Sequence, residues 1–135
     1  MDSSNKKIKI ICDSSIDLPA SLIEEEDIEI MHFAVTLNDV TYYDGVTITV
    51  EKMYELVHKT KKLPKTSAFA PDVFAETVKK FSDYDDIILT GIGSGFSSSF
   101  NSSRIGTMDM PNVHCIDSQN LSSGTGLLVL KMCKM

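Results

Sequence analysis

Three short apolar runs, residues 8–12, 87–90 and 113–116, each break off into a polar loop. The loops open with Asp13-Ser14-Ser15, Gly91-Ile92-Gly93-Ser94 and Asp117-Ser118. Near-continuous apolar runs of this length mark strands buried on both faces, as in parallel sheets. The stretches between them read as helices. Pro19 stands where a first helical residue is favoured, ahead of a brief helix over residues 21–26. Residues 28–37 read as a second strand, because Ile28, Ile30, Met31, Phe33, Val35 and Leu37 mostly alternate with their neighbours. Residues 40–43 pair back as a hairpin across the Asn38-Asp39 turn. Thr49 is an N-cap for a helix with Met53, Leu56, Val57 and Thr60 on one face. Pro71 opens the next, with Val73, Phe74, Val78 and Phe81 facing inward. A helix over residues 98–108 and a last one over residues 125–133, opened by Ser123-Gly124, complete the chain.

That alternation predicts an α/β fold with a mostly parallel sheet and helices on both faces. Ligands of such sheets sit beyond the carboxyl ends of the strands. The three Ser-rich loops fall on that edge.

A chain of 135 residues is by default one domain, and 42% hydrophobic residues suffice for a core. The net charge of -6 argues against a nucleic-acid surface. The one basic cluster, Lys59, Lys61, Lys62 and Lys65, reads as a solvated helix end. No apolar stretch approaches the ~20 residues of a membrane span. The start, Met1-Asp2-Ser3-Ser4-Asn5-Lys6-Lys7, lacks the apolar stretch of a secretory signal. Cys12, Cys115 and Cys133 are odd in number and far apart, which suits a reducing cytoplasm. The sequons at Asn101 and Asn120 are then chance matches. The chain stops inside an amphipathic pattern with no glycine stop signal. It is therefore expected to be the front part of something longer.

Two segments carry the chemistry: Pro64-Lys65-Thr66-Ser67 and Gly93-Ser94-Gly95-Phe96-Ser97-Ser98-Ser99. Each sets hydroxyls near a helix start, where about four backbone N–H groups lack partners and the macrodipole favours an anion. The glycine run admits a tight packing turn, an anion seat or a dinucleotide loop. The last fits worst, because the run lies late in the chain and its third Gly comes one position early. Asp13 and Asp117, each followed by Ser, read as Asx turns. His32, His58 and His114 have no metal-ligand spacing. Ser97 lacks the nucleophile elbow and an assignable His partner. A binding role is therefore favoured over catalysis.

Five blocks also resemble one family. Asp13-Ser14-Ser15-Ile16-Asp17-Leu18-Pro19 is similar to the opening D-S-T-A-D-L-P of the DegV family. Tyr43-Asp44-Gly45, Pro64-Lys65-Thr66-Ser67, the run from Ile92 to Ser102, and Ile116-Asp117-Ser118 resemble its later blocks in order. The resemblance implies an N-terminal α/β domain spanning residues 1–135, with a second α/β domain absent. It implies a non-enzymatic, cytoplasmic carrier with no cofactor. The carrier binds a long-chain fatty acid and presents its carboxylate to a fatty-acid kinase, its partner. Thr66 and Ser97 match the family's carboxylate-holding positions, with Ser94 in reserve. Ser67, Phe96 and Phe69 are further candidates, the two rings at a tunnel mouth. The chain departs from the family at Ala68-Phe69-Ala70, where Q-P-S is usual, at Gly93, where Ser is usual, and at Ser98, where Gly is usual. Losing that Gly strains the loop if the position needs positive φ. The alternatives are a phosphotransfer domain on a related α/β fold and a truncated domain without ligand. The first is disfavoured by Asp13-Ser14-Ser15 where an active His would stand.

Overall fold

The computed structural model describes residues 6–135. The N-terminal start analysed above therefore lies largely outside the described residues. The chain forms two compact units: Met1–Met31 with Phe69–Met135, and His32–Ala68.

The larger unit is built on a parallel sheet of β1 (Ile8–Asp13), β2 (Glu29–Met31), β6 (Asp86–Thr90) and β7 (Val113–Cys115), in the order β2-β1-β6-β7. Side chains alternate across a strand, so each central strand feeds two cores. Ile11, Ile87 and Leu89 meet Met31, Phe74 and Val78 on one face. Ile10 and Cys12 meet Ile16, Ile28 and Val129 on the other. The first face is covered by α3 (Pro71–Lys79), with α4 (Ser99–Gly106) beside it. The second is covered by α1 (Ala20–Glu25) and α5 (Ser123–Cys133). Helices thus flank both faces, as the alternation requires.

Lys9 lies in β1 on the face of the first core and is only 5% exposed. A buried ammonium needs partners. It donates to the Asp27 carbonyl at 2.9 Å and pairs with the Asp27 carboxylate at 3.1 Å. Its charge also sits 5.0 Å from the Phe81 ring. Burial raises the Cys12 thiol far above its ordinary range, so Cys12 behaves as a small apolar group.

The smaller unit holds a second sheet, antiparallel, of β3 (Ala34–Leu37), β4 (Val40–Tyr43) and β5 (Lys65–Ser67) in the order β4-β3-β5. With it comes α2 (Val50–Thr60), capped where the Thr49 hydroxyl accepts from the Lys52 N–H at 3.2 Å. Val35, Leu37 and Ile48 form its buried centre.

Three local expectations change. Residues 28–37 are two strands in two different sheets, because the chain passes from one unit to the other at His32. Val73 is 37% exposed, and the inward position on α3 belongs to Thr77. Thr77 is tolerated there because its hydroxyl donates to the Val73 carbonyl one turn back, at 2.8 Å. Pro19 precedes the helix as its N-cap instead of opening it.

Candidate functional site

The carboxyl ends of β1, β6 and β7 release the three polar loops onto one edge of the parallel sheet. Asp13, at the end of β1, ties two of them. Its carboxylate accepts from the Ile92 N–H at 2.8 Å, the Ser15 N–H at 3.0 Å and the Ser15 hydroxyl at 2.5 Å. Burial pushes its carboxyl above the usual carboxylate range, against the downward pull of those donors. Gly91 is required beside it, because a Cβ there would stand 2.1 Å from an Asp13 oxygen.

The second tie joins the loops after β6 and β7. The Ser118 hydroxyl, buried, donates to the Gly91 carbonyl at 2.6 Å and meets the Thr125 hydroxyl at 3.2 Å. The Gly93 N–H donates to the Asn120 carbonyl at 2.7 Å. A Cβ at Gly93 would lie 2.9 Å from the backbone of both Gln119 and Asn120. A glycine in place of the family's usual serine thus fits a close approach of two backbones.

Ser94 is fully engaged. Its N–H donates to Asp117 at 3.0 Å, and its hydroxyl donates to the other oxygen of the same carboxylate. These two donors hold the Asp117 carboxyl below its ordinary range. A group with a depressed folded pKa stabilises above its unfolded value, near pH 3.9, and loses that contribution as the pH falls through the folded value. Asp117→Asn is therefore expected to lower the melting temperature at neutral pH, with the deficit shrinking below about pH 4. Paired thermal melts across that range check it; an undiminished deficit in acid rules out the ionised clamp.

Ser97 differs. Its hydroxyl donates to the Ser99 hydroxyl and accepts from the Ser99 N–H, both at 3.2 Å. Hydroxyl hydrogen bonds are normally near 2.7–2.8 Å, so this hydroxyl is weakly held at the entrance of α4. Ser99, buried, accepts in turn from the Phe69 N–H at 3.3 Å. Ser98 has φ -79°, so the helix entry is unstrained without the family's usual glycine.

Phe69 is half-buried and packs edge-on to Phe74 with centroids 5.6 Å apart, while Phe96 is 60% exposed beside Ser97. Phe74 also lines a cavity of about 20 Å³, with Ile11, Met31, Leu89, Phe100, Asp13, Ser99 and Ser103. It has room for a single water-sized guest. Thr66 and Ser67 belong to the smaller unit, on the three-residue β5, where both are exposed and Thr66 pairs with Val35 of β3. They lie in a strand and not in a loop. Ser99 and Asp117 are the residues that motif reading passed over as site supports. Ser99 lies two residues from Ser97 and Asp117 reads from sequence only as an Asx turn, and nothing in one sequence marks which partner each takes.

The matched family model decides the lineage: DegV, described as an uncharacterised protein of the DegV family, over residues 7–135. The chain belongs to the DegV family. A DegV domain-containing protein of Clostridium perfringens is 33% identical over 96% of this chain and 47% of its own length. Another, from Caldanaerobacter subterraneus, is 34% identical over 96% of this chain and 47% of its own length. Among solved structures, a fatty-acid-binding DegV family protein from Thermus thermophilus matches with TM-score 0.87 and 25% identity. It is covered to 46%, and this chain to 95%. A stearic-acid-binding protein from Eubacterium ventriosum matches with TM-score 0.82 and 29% identity, over 95% of this chain and 47% of its own length. The chain thus spans about half the length of the DegV relatives it matches.

Proposed function

We propose that this chain is the N-terminal half of a fatty-acid carrier, and that its Ser-rich edge receives the carboxylate. The observation that carries the reading is the contrast between two serines of one loop. Ser94 is committed to Asp117, whose negative charge also repels an incoming carboxylate. Ser97 is held only by long contacts at a helix entrance, where N–H groups and the dipole favour an anion. Turning its hydroxyl toward a carboxylate exchanges weak neutral bonds for a charge-assisted one. By family likeness Thr66 takes the same task, with Ser67 beside it. Phe96 and Phe69 are the apolar neighbours of the head group.

The tail supplies the affinity, at roughly 0.8 kcal/mol per buried CH₂. A cavity of 20 Å³ is far too small for it. The reading therefore needs further apolar walls, which we assign to the part of the relatives' length that this chain does not span. Handing the exposed carboxylate to a fatty-acid kinase completes the proposed role. The chain itself then catalyses nothing and acts in the cytoplasm. Native mass spectrometry of protein purified from cells tests this directly, on the chain alone and on the chain joined to the part of its relatives' length that it does not span. The longer form is expected to retain a mass increment equal to a long-chain fatty acid. If it carries none, and takes up none when oleate is added, the reading fails.

A further inference from the structure

The lysine cluster of the smaller unit is left unexplained by that function. Lys59, Lys61, Lys62 and Lys65 are all exposed, and none makes an ion pair among the described residues. Their side chains are not needed to close α2. The Leu56 carbonyl accepts from the Thr60 hydroxyl at 2.7 Å, and the Val57 carbonyl accepts from the Lys61 N–H at 2.9 Å. Only Lys59 stands in the last helical turn. At the centre of the cluster Leu63 is 78% exposed. Lys61 holds φ 58°, a left-handed position where Gly or Asn is the easy choice. A lysine kept there at a steric cost points to a use for its charge.

The charge is also segregated. Residues 32–68 carry five Lys against four Asp and Glu, whereas the rest of the chain carries eight Lys and Arg against fifteen Asp and Glu. Within the smaller unit, Glu51 and Glu55 belong to the front of α2, and residues 58–65 contain no acid.

We propose that residues 59–65 form a docking surface for an anionic phospholipid bilayer, with the four ammonium groups at the headgroups and Leu63 inserted between them. Charge complementarity selects this occupant. Basic residues near an anionic leaflet attract it additively, and one apolar side chain among them adds insertion. This inference stands apart from the fatty-acid reading and survives its failure.

Sedimentation of the 135-residue chain with vesicles is the test. One set is phosphatidylcholine alone; the other also carries phosphatidylglycerol. Binding is expected only to the second set, and is expected to weaken as salt is raised. Each Lys→Gln change at the four positions is expected to lower partitioning roughly five-fold. Leu63→Ser is expected to weaken binding without changing its salt dependence. Lys61→Gly separates this role from a merely structural one: the variant is expected to melt higher yet bind less. A blank result on the phosphatidylglycerol vesicles overturns the proposal, including the case in which the patch serves an acidic protein. Undiminished binding by a quadruple Lys→Gln variant with native circular dichroism overturns it too.

Discussion

Ser97→Ala is expected to weaken long-chain fatty-acid binding at least ten-fold in the chain joined to the part of its relatives' length that it does not span. A hydrogen bond to a charged group contributes about 1.5–3 kcal/mol, which corresponds to roughly ten- to 150-fold in affinity. The fold is expected to persist, because among the described residues the Ser97 hydroxyl makes only the two 3.2 Å contacts to Ser99. Thr66→Ala is expected to fall in the same range and to be equally harmless to the fold, since Thr66 is exposed on β5. Ser94→Ala provides the contrast. It removes a donor from Asp117 and is expected to lower stability more than affinity. Titration calorimetry with a long-chain fatty acid, beside thermal melts, reads all three. Unchanged affinity in both the Ser97 and Thr66 variants rejects the assignment.

The second large effect is expected at Asp13. Removing its carboxylate strands the Ile92 N–H and uncaps the 3-10 turn of Ser14–Ile16. An orphaned buried donor costs about 1–3 kcal/mol and a lost cap about 0.5–2 kcal/mol. Asp13→Ala is thus expected to cost about 1.5–5 kcal/mol, measured by urea unfolding. Asp13→Asn is expected to be milder. It keeps one acceptor oxygen and removes a charge that burial disfavours. A loss below about 0.5 kcal/mol for Asp13→Ala would place that carboxylate outside the loop scaffold.

The elements that could be read from residues alone are those whose pattern reports burial directly. β1 and β6 send apolar side chains into two cores, so their runs are near-continuous, broken in β1 by Lys9. α3 carries its own start signal in Pro71. The errors fall where local pattern and tertiary setting part company. The alternation through Met31, His32 and Phe33 continues smoothly, yet β2 and β3 join different sheets. Nothing local records that choice. β5 has no apolar face, since Lys65, Thr66 and Ser67 are all exposed. Its strand character comes from backbone pairing with β3, which side-chain periodicity does not encode. At the sheet edge, the serine block and Asp117 belong to loops that the structure ties together. The division of labour between Ser94 and Ser97 depends on where Asp117 arrives, 23 positions later.

The smaller unit interrupts the larger one, leaving after Met31 and returning at Phe69. The central pairing of β1 with β6 therefore joins Ile8 to Asp86, 78 positions apart, and about half of that span is the 37-residue insert His32–Ala68. Doubling a loop adds only about 0.6 kcal/mol of closure entropy, so the interruption is nearly free at equilibrium. Its weight falls on kinetics, since distant pairings slow the search. An insert that collapses early shortens the tether, and the order of events during synthesis then matters more to this chain than the final balance of energies.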